Sequence, residues 1–367
     1  MIPIYEPSFF GREREYVSDC VDKVWVSSQG EYVTSLESAL ADYHSVKHGV
    51  VTSNCTTALH LALLAVGVGP GDEVLCPDLT FIAPANMIKL TGAEPVLVDI
   101  DPVTLTIDPL LAEKKISNRT KAIIIVHQFG HAADMDPIMK LAAAHDLKVI
   151  EDNAESIGAS YKGRMLGTIG DVATFSFFGN KIITTGEGGG LITNDEQINA
   201  RARMLRDHGM NPNRRYEHLD LGFNYRMTNL QAALGVAQVE KLDEILAIRQ
   251  QQLESYESAL SAIGKITTRK FANWCNPVHW LMTVHANDQK MRDYLITELA
   301  NEGVECRPMV NPVHEAKHFV EHYDPAEFEH SIGVSRRSFH LPSGANLTAE
   351  NIQYISEALE KVLNTYD

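Results

Sequence analysis

The stretch that most constrains this chain is DVATFSFFGNKIITTGEGGG, residues 171–190, which carries a single lysine, Lys181. An apolar, strand-forming run leads to a break at Gly179, and a glycine-rich run follows the lysine. A lysine at a strand end among aromatic and small residues is expected to be partly removed from water. Desolvation disfavours the ammonium form and leaves an amine that can bind an aldehyde covalently. Taken alone, the pattern is also typical of an exposed loop lysine.

A second strand end favours the first interpretation. The segment KVIEDNAES, residues 148–156, is a short apolar strand that ends in Glu151 and Asp152. In an open α/β sheet, ligands bind beyond the carboxyl ends of the strands. Pyridoxal 5′-phosphate requires a lysine for its aldehyde and a carboxylate that keeps its ring nitrogen protonated. Asp152 and Lys181 would supply this pair from neighbouring strand ends, and both are therefore predicted to be catalytic.

Three motifs extend the argument to a family. EDNAESIGA, FSFFGNKIITTGEGG and NYRMTNLQAA stand in this order along the chain, and together they resemble the DegT/DnrJ/EryC1/StrS sugar aminotransferases. The resemblance covers nearly the whole chain. It implies an α/β protein of the fold type I pyridoxal-phosphate aminotransferases, with a mostly parallel mixed sheet between helices. We expect a large cofactor-binding domain over residues 1–240 and a smaller C-terminal α+β domain over residues 241–367.

The resemblance also implies roles for further residues. Cys55 and Thr56, at the predicted start of a helix, and Ser176 would bind the cofactor phosphate, as would Asn224 reaching across a homodimer. Phe81 would stack on the pyridine ring. The role of Glu155 stays open, because relatives often carry Gln or His at that position, near the ring 3′-oxygen. The predicted substrate-binding residues are Arg226, Arg307 and His314; each has an ordinary structural role as its alternative.

Composition narrows the class of protein. The chain has 367 residues, of which 44% are hydrophobic and 22% charged, as in an ordinary globular protein. A net charge of −16 argues against nucleic acid as a partner. An anionic nucleotide-sugar would need a local basic region, and part of an arginine-rich stretch, residues 201–226, is expected to meet its diphosphate. The five cysteines lack the spacing of a disulfide framework or a zinc site, so no metal is predicted.

No apolar run is long enough for a membrane span, and the N-terminus MIPIYEPSFFGRERE lacks the pattern of a signal peptide. We therefore expect a cytoplasmic protein that does not associate with a membrane.

The motifs resemble most closely the branch of the family that aminates C4 of GDP-4-keto-6-deoxy-D-mannose to give GDP-perosamine, a sugar of lipopolysaccharide O-antigens. L-glutamate is the expected amino donor. Alternative acceptors are dTDP- or UDP-linked 4-keto sugars and an oxidised 3-deoxy-octulosonate. A hypothesis of another class is a regulatory or partner protein that has kept the fold and lost catalysis; the presence of Lys181, Asp152 and Asn224 argues against it.

Overall fold

The computed structural model describes residues 1–366. The strands are β1 (His48–Thr52), β2 (Glu73–Pro77), β3 (Glu94–Val98), β4 (Thr120–Val126), β5 (Lys148–Asp152), β6 (Ser160–Tyr161), β7 (Arg164–Met165), β8 (Val172–Ser176), β9 (Gly189–Thr193), β10 (Thr267–Thr268), β11 (Cys275–Asn276), β12 (Met282–His285), β13 (Arg307–Pro308) and β14 (Ser338–Leu341). The α-helices are α1 (Glu13–Asp22), α2 (Glu31–His44), α3 (Cys55–Ala65), α4 (Ala83–Leu90), α5 (Pro109–Lys114), α6 (Met135–His145), α7 (Glu196–Arg206), α8 (Asn229–Glu240), α9 (Leu242–Leu260), α10 (Gln289–Asn301), α11 (Glu329–Arg337) and α12 (Ala349–Asn364). Short 3₁₀ turns lie at Gln128–Gly130, Val313–Glu315, Val320–His322 and Pro325–Glu327.

The main sheet has seven strands in the order β1-β9-β8-β5-β4-β2-β3. Strands β3, β2, β4, β5 and β8 pair in parallel, whereas β9 is antiparallel to both β8 and β1. Apolar clusters cover both faces of the sheet, which explains why β4 reads as a continuous run of aliphatic residues. The predicted α/β fold with a mostly parallel mixed sheet is confirmed.

The segment that follows Thr228 forms two consecutive helices, α8 and α9. A capping box fixes the start of α8, since the Thr228 hydroxyl accepts the N–H of Gln231 and the Gln231 side chain accepts the N–H of Thr228. The helix ends at Glu240, and α9 begins after Lys241, whose ψ of 4° departs from α-helical geometry. The chain therefore changes direction at this residue.

The C-terminal part has its own four-stranded antiparallel sheet, in the order β10-β12-β14-β13. Apolar residues of α9, α10 and α12 pack with β12 and β14 in a separate core. The N-terminal residues, which the sequence analysis assigns to the large domain, form hydrogen bonds with the C-terminal part. Ile2 N–H donates to Gly303 C=O at 2.7 Å, and Ser343 N–H donates to Ile4 C=O at 2.9 Å. A domain boundary at residue 240 stays a prediction.

All five cysteines carry free thiols. Over the described range 1–366, no helix combines the length and the apolar character needed to cross a bilayer.

Candidate active site

A cavity of about 650 Å³ opens at the carboxyl edge of the main sheet, where it meets β13 and β14. Its walls include the ends of β4, β5 and β8 and the start of α3, so segments distant in sequence meet there. The predicted residues that line it are Cys55, Thr56, Phe81, Asp152, Glu155, Ser176, Lys181 and Arg307. The volume is within the range of small-molecule sites.

The adjacent acidic residues at the end of β5 have different environments. Glu151 is fully buried and accepts hydrogen bonds from His127 Nε2 at 3.0 Å and from the backbone N–H groups of Gly167, Ile169 and Gly170. Asp152 lines the cavity, as the alternation of side chains along a strand requires. Glu151 therefore holds the loop after β7, and Asp152 is the carboxylate available to a ligand.

Asp152 is 5% exposed. Burial raises its pKa to about 6, although a hydrogen bond from Ala154 N–H to Oδ1, 3.0 Å long, opposes this shift. Within residues 1–366, Oδ2 receives no hydrogen bond. A buried carboxylate with a free oxygen is a suitable acceptor for a protonated ring nitrogen.

The Lys181 amine lies in the same cavity. Its Nζ is 3.4 Å from Glu155 Oε1 and 3.8 Å from the centroid of the Trp280 ring, and the side chain is 14% exposed. Trp280 is held in turn, because its Nε1–H donates to Asn180 C=O at 2.6 Å. The expectation of a partly desolvated lysine between aromatic residues agrees with this environment.

The start of α3 offers free donors to an anion. Asn54 caps the helix, with its side chain accepting the N–H of Thr57 at 2.9 Å, while the N–H groups of Cys55 and Thr56 have no acceptor within residues 1–366. Strand β9 passes so close that a Cβ on Gly189 would lie 2.4 Å from Cys55 N. Free N–H groups at a helix N-terminus bind phosphate.

These features fit pyridoxal 5′-phosphate. The free oxygen of Asp152 suits the ring nitrogen, the N–H groups of α3 and the Ser176 hydroxyl suit the phosphate, and the Lys181 amine suits the aldehyde. Phe81 lines the cavity and is 63% exposed as a residue, so it is available for stacking.

Three aromatic residues of the cavity were not foreseen from the sequence: Phe129, Trp280 and His340. Phe129 sits in a left-handed conformation (φ 49°, ψ 36°) and donates its N–H to Glu155 Oε2 at 2.7 Å. The following Gly130, at φ +83°, passes against Val278 C=O, which a Cβ would meet at 1.8 Å. No local pattern around Phe129 indicates this turn. Trp280 is one of three tryptophans, and the scarcity of this residue is the one sequence feature that singles it out.

Asn224 and Arg226 lie outside the cavity of their own chain. Arg226 Nη1 is 3.0 Å from Asp207 Oδ1, and its Nε donates to Asn224 Oδ1 at 3.0 Å. Their segment borders the end of β1, since Ser53 N–H donates to Tyr225 C=O. The proposed reach of Asn224 to a second subunit stays a prediction.

His314, which the sequence analysis predicts to bind substrate, does not line the cavity. It is 1% exposed, its Nδ1 is 2.8 Å from Asp78 Oδ2, and its ring stacks on Phe328. The His314 N–H also donates to Asp78 Oδ1. The pair joins the loop after β13 to the end of β2, so His314 has a structural place behind the cavity.

Most of the arginine-rich stretch is engaged in ion pairs within the chain. Arg203 and Arg206 both pair with the buried Glu37, at 2.7 and 2.5 Å. Further pairs join Arg201 to Asp220 and Arg214 to Glu217. Among the arginines of the described chain, Arg307 is the one that lines the cavity.

The chain is similar to known proteins in sequence and in overall fold. The DegT/DnrJ/EryC1/StrS aminotransferase family model matches residues 9–360. The GDP-perosamine synthase of Caulobacter vibrioides is 47% identical over 366 residues, which cover 99% of this chain and 98% of that protein. The GDP-perosamine synthase of Escherichia coli O157:H7 is 41% identical, with 98% of each chain covered. The crystal structure of an aminotransferase from Psychrobacter cryohalolentis superposes with a TM-score of 0.91 at 31% identity, covering 98% of both chains.

The fold and the cavity are thus those of a pyridoxal-phosphate-dependent aminotransferase. The chain belongs to the DegT/DnrJ/EryC1/StrS aminotransferase family.

Proposed function

We propose that this protein transfers the amino group of L-glutamate to C4 of a nucleotide-linked 4-keto-6-deoxy sugar, and that the acceptor is GDP-4-keto-6-deoxy-D-mannose, giving GDP-perosamine. The observation that carries the reaction class is the meeting of Lys181 and Asp152 in one cavity that also exposes the N–H groups of α3. The GDP-perosamine synthases at 47% and 41% identity over nearly the full chain support the choice of acceptor.

When bound, pyridoxal phosphate supplies the aldehyde that carries the amino group and a ring that withdraws electrons from the reacting carbon. Asp152 holds a positive charge at the ring nitrogen, which maintains that withdrawal. The Lys181 amine is the base that removes the proton from the α-carbon of glutamate and, in the second half-reaction, delivers a proton at C4 of the sugar. Glutamate leaves as 2-oxoglutarate before the sugar is aminated, so the kinetics should be ping-pong.

Two further roles belong to the proposal. Arg307, at the mouth of the cavity on β13, would meet the diphosphate of the substrate. Ser176 and the first residues of α3, Cys55 and Thr56, would hold the cofactor phosphate through a hydroxyl and backbone N–H groups.

Spectroscopy on the purified protein tests the reaction class. The absorbance band of the lysine-bound cofactor should bleach on addition of L-glutamate and return with GDP-4-keto-6-deoxy-D-mannose, while dTDP- and UDP-linked 4-keto sugars restore it less. Lys181→Ala should lower turnover by about 1,000-fold or more. The matched control is Lys162→Ala, at an exposed lysine paired with Asp136. A protein that shows no such band with added pyridoxal phosphate would refute the enzymatic proposal and favour a non-catalytic partner.

We also propose a homodimer in which Asn224 of the partner subunit completes the phosphate site. Support comes from the exposure of Asn224 and of apolar side chains near it, Tyr216, Leu219 and Leu221, the last 82% exposed. Exposed apolar surface of this kind is typical of an interface.

Mixing two inactive variants tests the shared site. Lys181→Ala and Asn224→Ala subunits, unfolded together and refolded, would form mixed dimers with one intact site. Statistical pairing predicts recovery of about a quarter of the wild-type activity. No recovery, in a sample that light scattering shows to be dimeric, would contradict a site completed by Asn224 of the partner subunit, and an active Asn224→Ala protein would place Asn224 outside any site.

We further propose a cytoplasmic location and use of the product in lipopolysaccharide O-antigen synthesis. Fractionation of the producing cells, and the O-antigen of a deletion strain, would test both points.

A further inference from the structure

The small antiparallel sheet carries a row of polar residues beside the cavity. His340 on β14 is the direct neighbour of Thr283 on β12 and of Arg307 on β13. Directly opposed residues in antiparallel strands share a face of the sheet. Both His340 and Arg307 line the cavity.

His340 is connected to the reactive amine by a short series of ring contacts. Its ring centroid is 4.7 Å from that of Phe129, which stacks on Trp280 at 5.9 Å with an interplanar angle of 11°. The Trp280 ring is the one that Lys181 Nζ contacts at 3.8 Å. Lys181 and His340 line the same cavity, so a ligand that fills it can contact both residues.

The hydrogen bond to Thr283 fixes the proton on the imidazole. Thr283 Oγ1 is 3.1 Å from His340 Nδ1, and the Thr283 side chain is buried. A buried hydroxyl proton needs an acceptor, and within residues 1–366 His340 Nδ1 is the acceptor it has. Nδ1 must then be unprotonated, which puts the ring proton on Nε2.

The ring is neutral. Burial lowers the pKa of His340 to about 3, and the charges of Arg307, His285 and Arg269 act in the same direction. Nε2 forms no hydrogen bond within the described chain. The cavity thus receives an uncharged N–H donor whose direction is fixed by Thr283.

We propose that His340 is a specificity-determining residue of the sugar half-reaction, and that its Nε2–H donates a hydrogen bond to an oxygen of the acceptor sugar. This inference rests on the proposed function. Arg307, its neighbour on β13, would meet the phosphate charge, so the row separates recognition of the sugar from recognition of the anion. A buried donor of fixed direction discriminates because a deoxy analogue leaves it unpaired.

The test measures the two half-reactions separately by stopped-flow absorbance, with L-glutamate and with GDP-4-keto-6-deoxy-D-mannose. His340→Leu should weaken the sugar half-reaction about 10-fold more than the glutamate half-reaction. His340→Gln, which can place an N–H donor near the position of Nε2, should restore most of the difference. Equal losses in both half-reactions, or no loss with the sugar, would overturn the proposal.

Thr283→Val provides a second test that keeps the shape of the core. Without the hydroxyl, the proton can move to Nδ1, and the sugar half-reaction should weaken about 3-fold relative to the glutamate half-reaction. Thr283→Ser should restore it. An unchanged ratio in Thr283→Val would contradict the assigned donor. The failure of the proposed function would instead appear in the wild-type protein, as the absence of either half-reaction.

Discussion

The carboxylate of Glu155 joins the reactive lysine to a left-handed turn. Its Oε1 lies 3.4 Å from Lys181 Nζ, and its Oε2 accepts the Phe129 N–H at 2.7 Å. One side chain therefore places both the amine and an aromatic wall of the cavity.

Glu155→Gln should keep the hydrogen bond from the Phe129 N–H and lose the negative charge beside Lys181 Nζ. We expect Glu155→Gln to retain turnover within about 10-fold of wild type, since the amide oxygen can still accept the Phe129 N–H. Glu155→Ala should lose about 100-fold, because the positive φ of Phe129 is then unsupported. Steady-state turnover of the three proteins, with melting temperatures as the folding control, checks this order. Equal activities of Glu155→Gln and Glu155→Ala would show that the hydrogen bond from the Phe129 N–H has no role in turnover.

Asp152 makes the cofactor-free protein sensitive to pH. Its pKa is about 6 in the folded chain, against about 3.9 for an unfolded carboxyl group. Between these values the folded state binds more protons than the unfolded state, so the free energy of unfolding falls as the pH rises from about 4 to about 6. Asp152→Asn removes this penalty.

The cofactor-free Asp152→Asn variant should therefore be more stable than wild type at pH 8, by at most about 3 kcal/mol, and the difference should shrink toward pH 4. Turnover should fall about 100-fold, because the ring nitrogen loses its anionic partner. Urea unfolding at the two pH values measures the first effect, and Asp22→Asn, at an exposed carboxylate of α1, is the control. A variant that is less stable at pH 8 would contradict the buried-charge argument.

Arg307 should dominate the recognition of the diphosphate. Arg307→Ala should raise KM for the nucleotide-sugar about 10- to 100-fold, with a smaller effect of salt on KM than in wild type. Arg214→Ala, whose side chain is 78% exposed, should leave KM unchanged. Arg206→Ala should lower the melting temperature instead, because it breaks the buried pair with Glu37. A rise in KM for Arg214→Ala equal to that for Arg307→Ala would indicate that the diphosphate binds at the arginine-rich stretch instead.

A methyl group at position 189 should damage the phosphate site. The Cβ of Gly189→Ala would lie 2.4 Å from Cys55 N, so the first turn of α3 must shift. We expect the affinity for pyridoxal phosphate to fall at least about 10-fold, measured by titration of the absorbance band. Gly69→Ala is the matched control, since no atom lies within 4 Å of its added Cβ. Normal cofactor affinity in Gly189→Ala would show that the start of α3 does not bind the cofactor phosphate.

Strand-end reasoning located Lys181 and Asp152 because each has a local signature, an apolar run followed by a break or an acidic pair. Phe129 and His340 have no such signature. The first depends on a left-handed turn and the second on the register between β13 and β14, which brings it beside Arg307. Neither property can be read from neighbouring residues.

The incorrect placement of His314 has a similar cause. Its partner, Asp78, is 236 residues away in the sequence, and nothing near His314 indicates burial. The ion pairs of the arginine-rich stretch could not be predicted for the same reason, because Glu37, which pairs with Arg203 and Arg206, lies on a different helix.

The pairing of β1 with β9 affects the order in which the protein folds during translation. Thr52, the last residue of β1, is opposite Gly189, so β1 leaves the ribosome roughly 140 residues, or about 7 to 28 seconds of synthesis, before its partner does. Until then β1 lacks the strand with which it pairs, and the Asn54–Thr56 turn that follows it lacks the Gly189 backbone against which it packs. The start of α3, where we propose that the cofactor phosphate binds, is therefore translated early but completed only when β9 follows, so cofactor binding at this turn has to wait for the chain as far as Thr193.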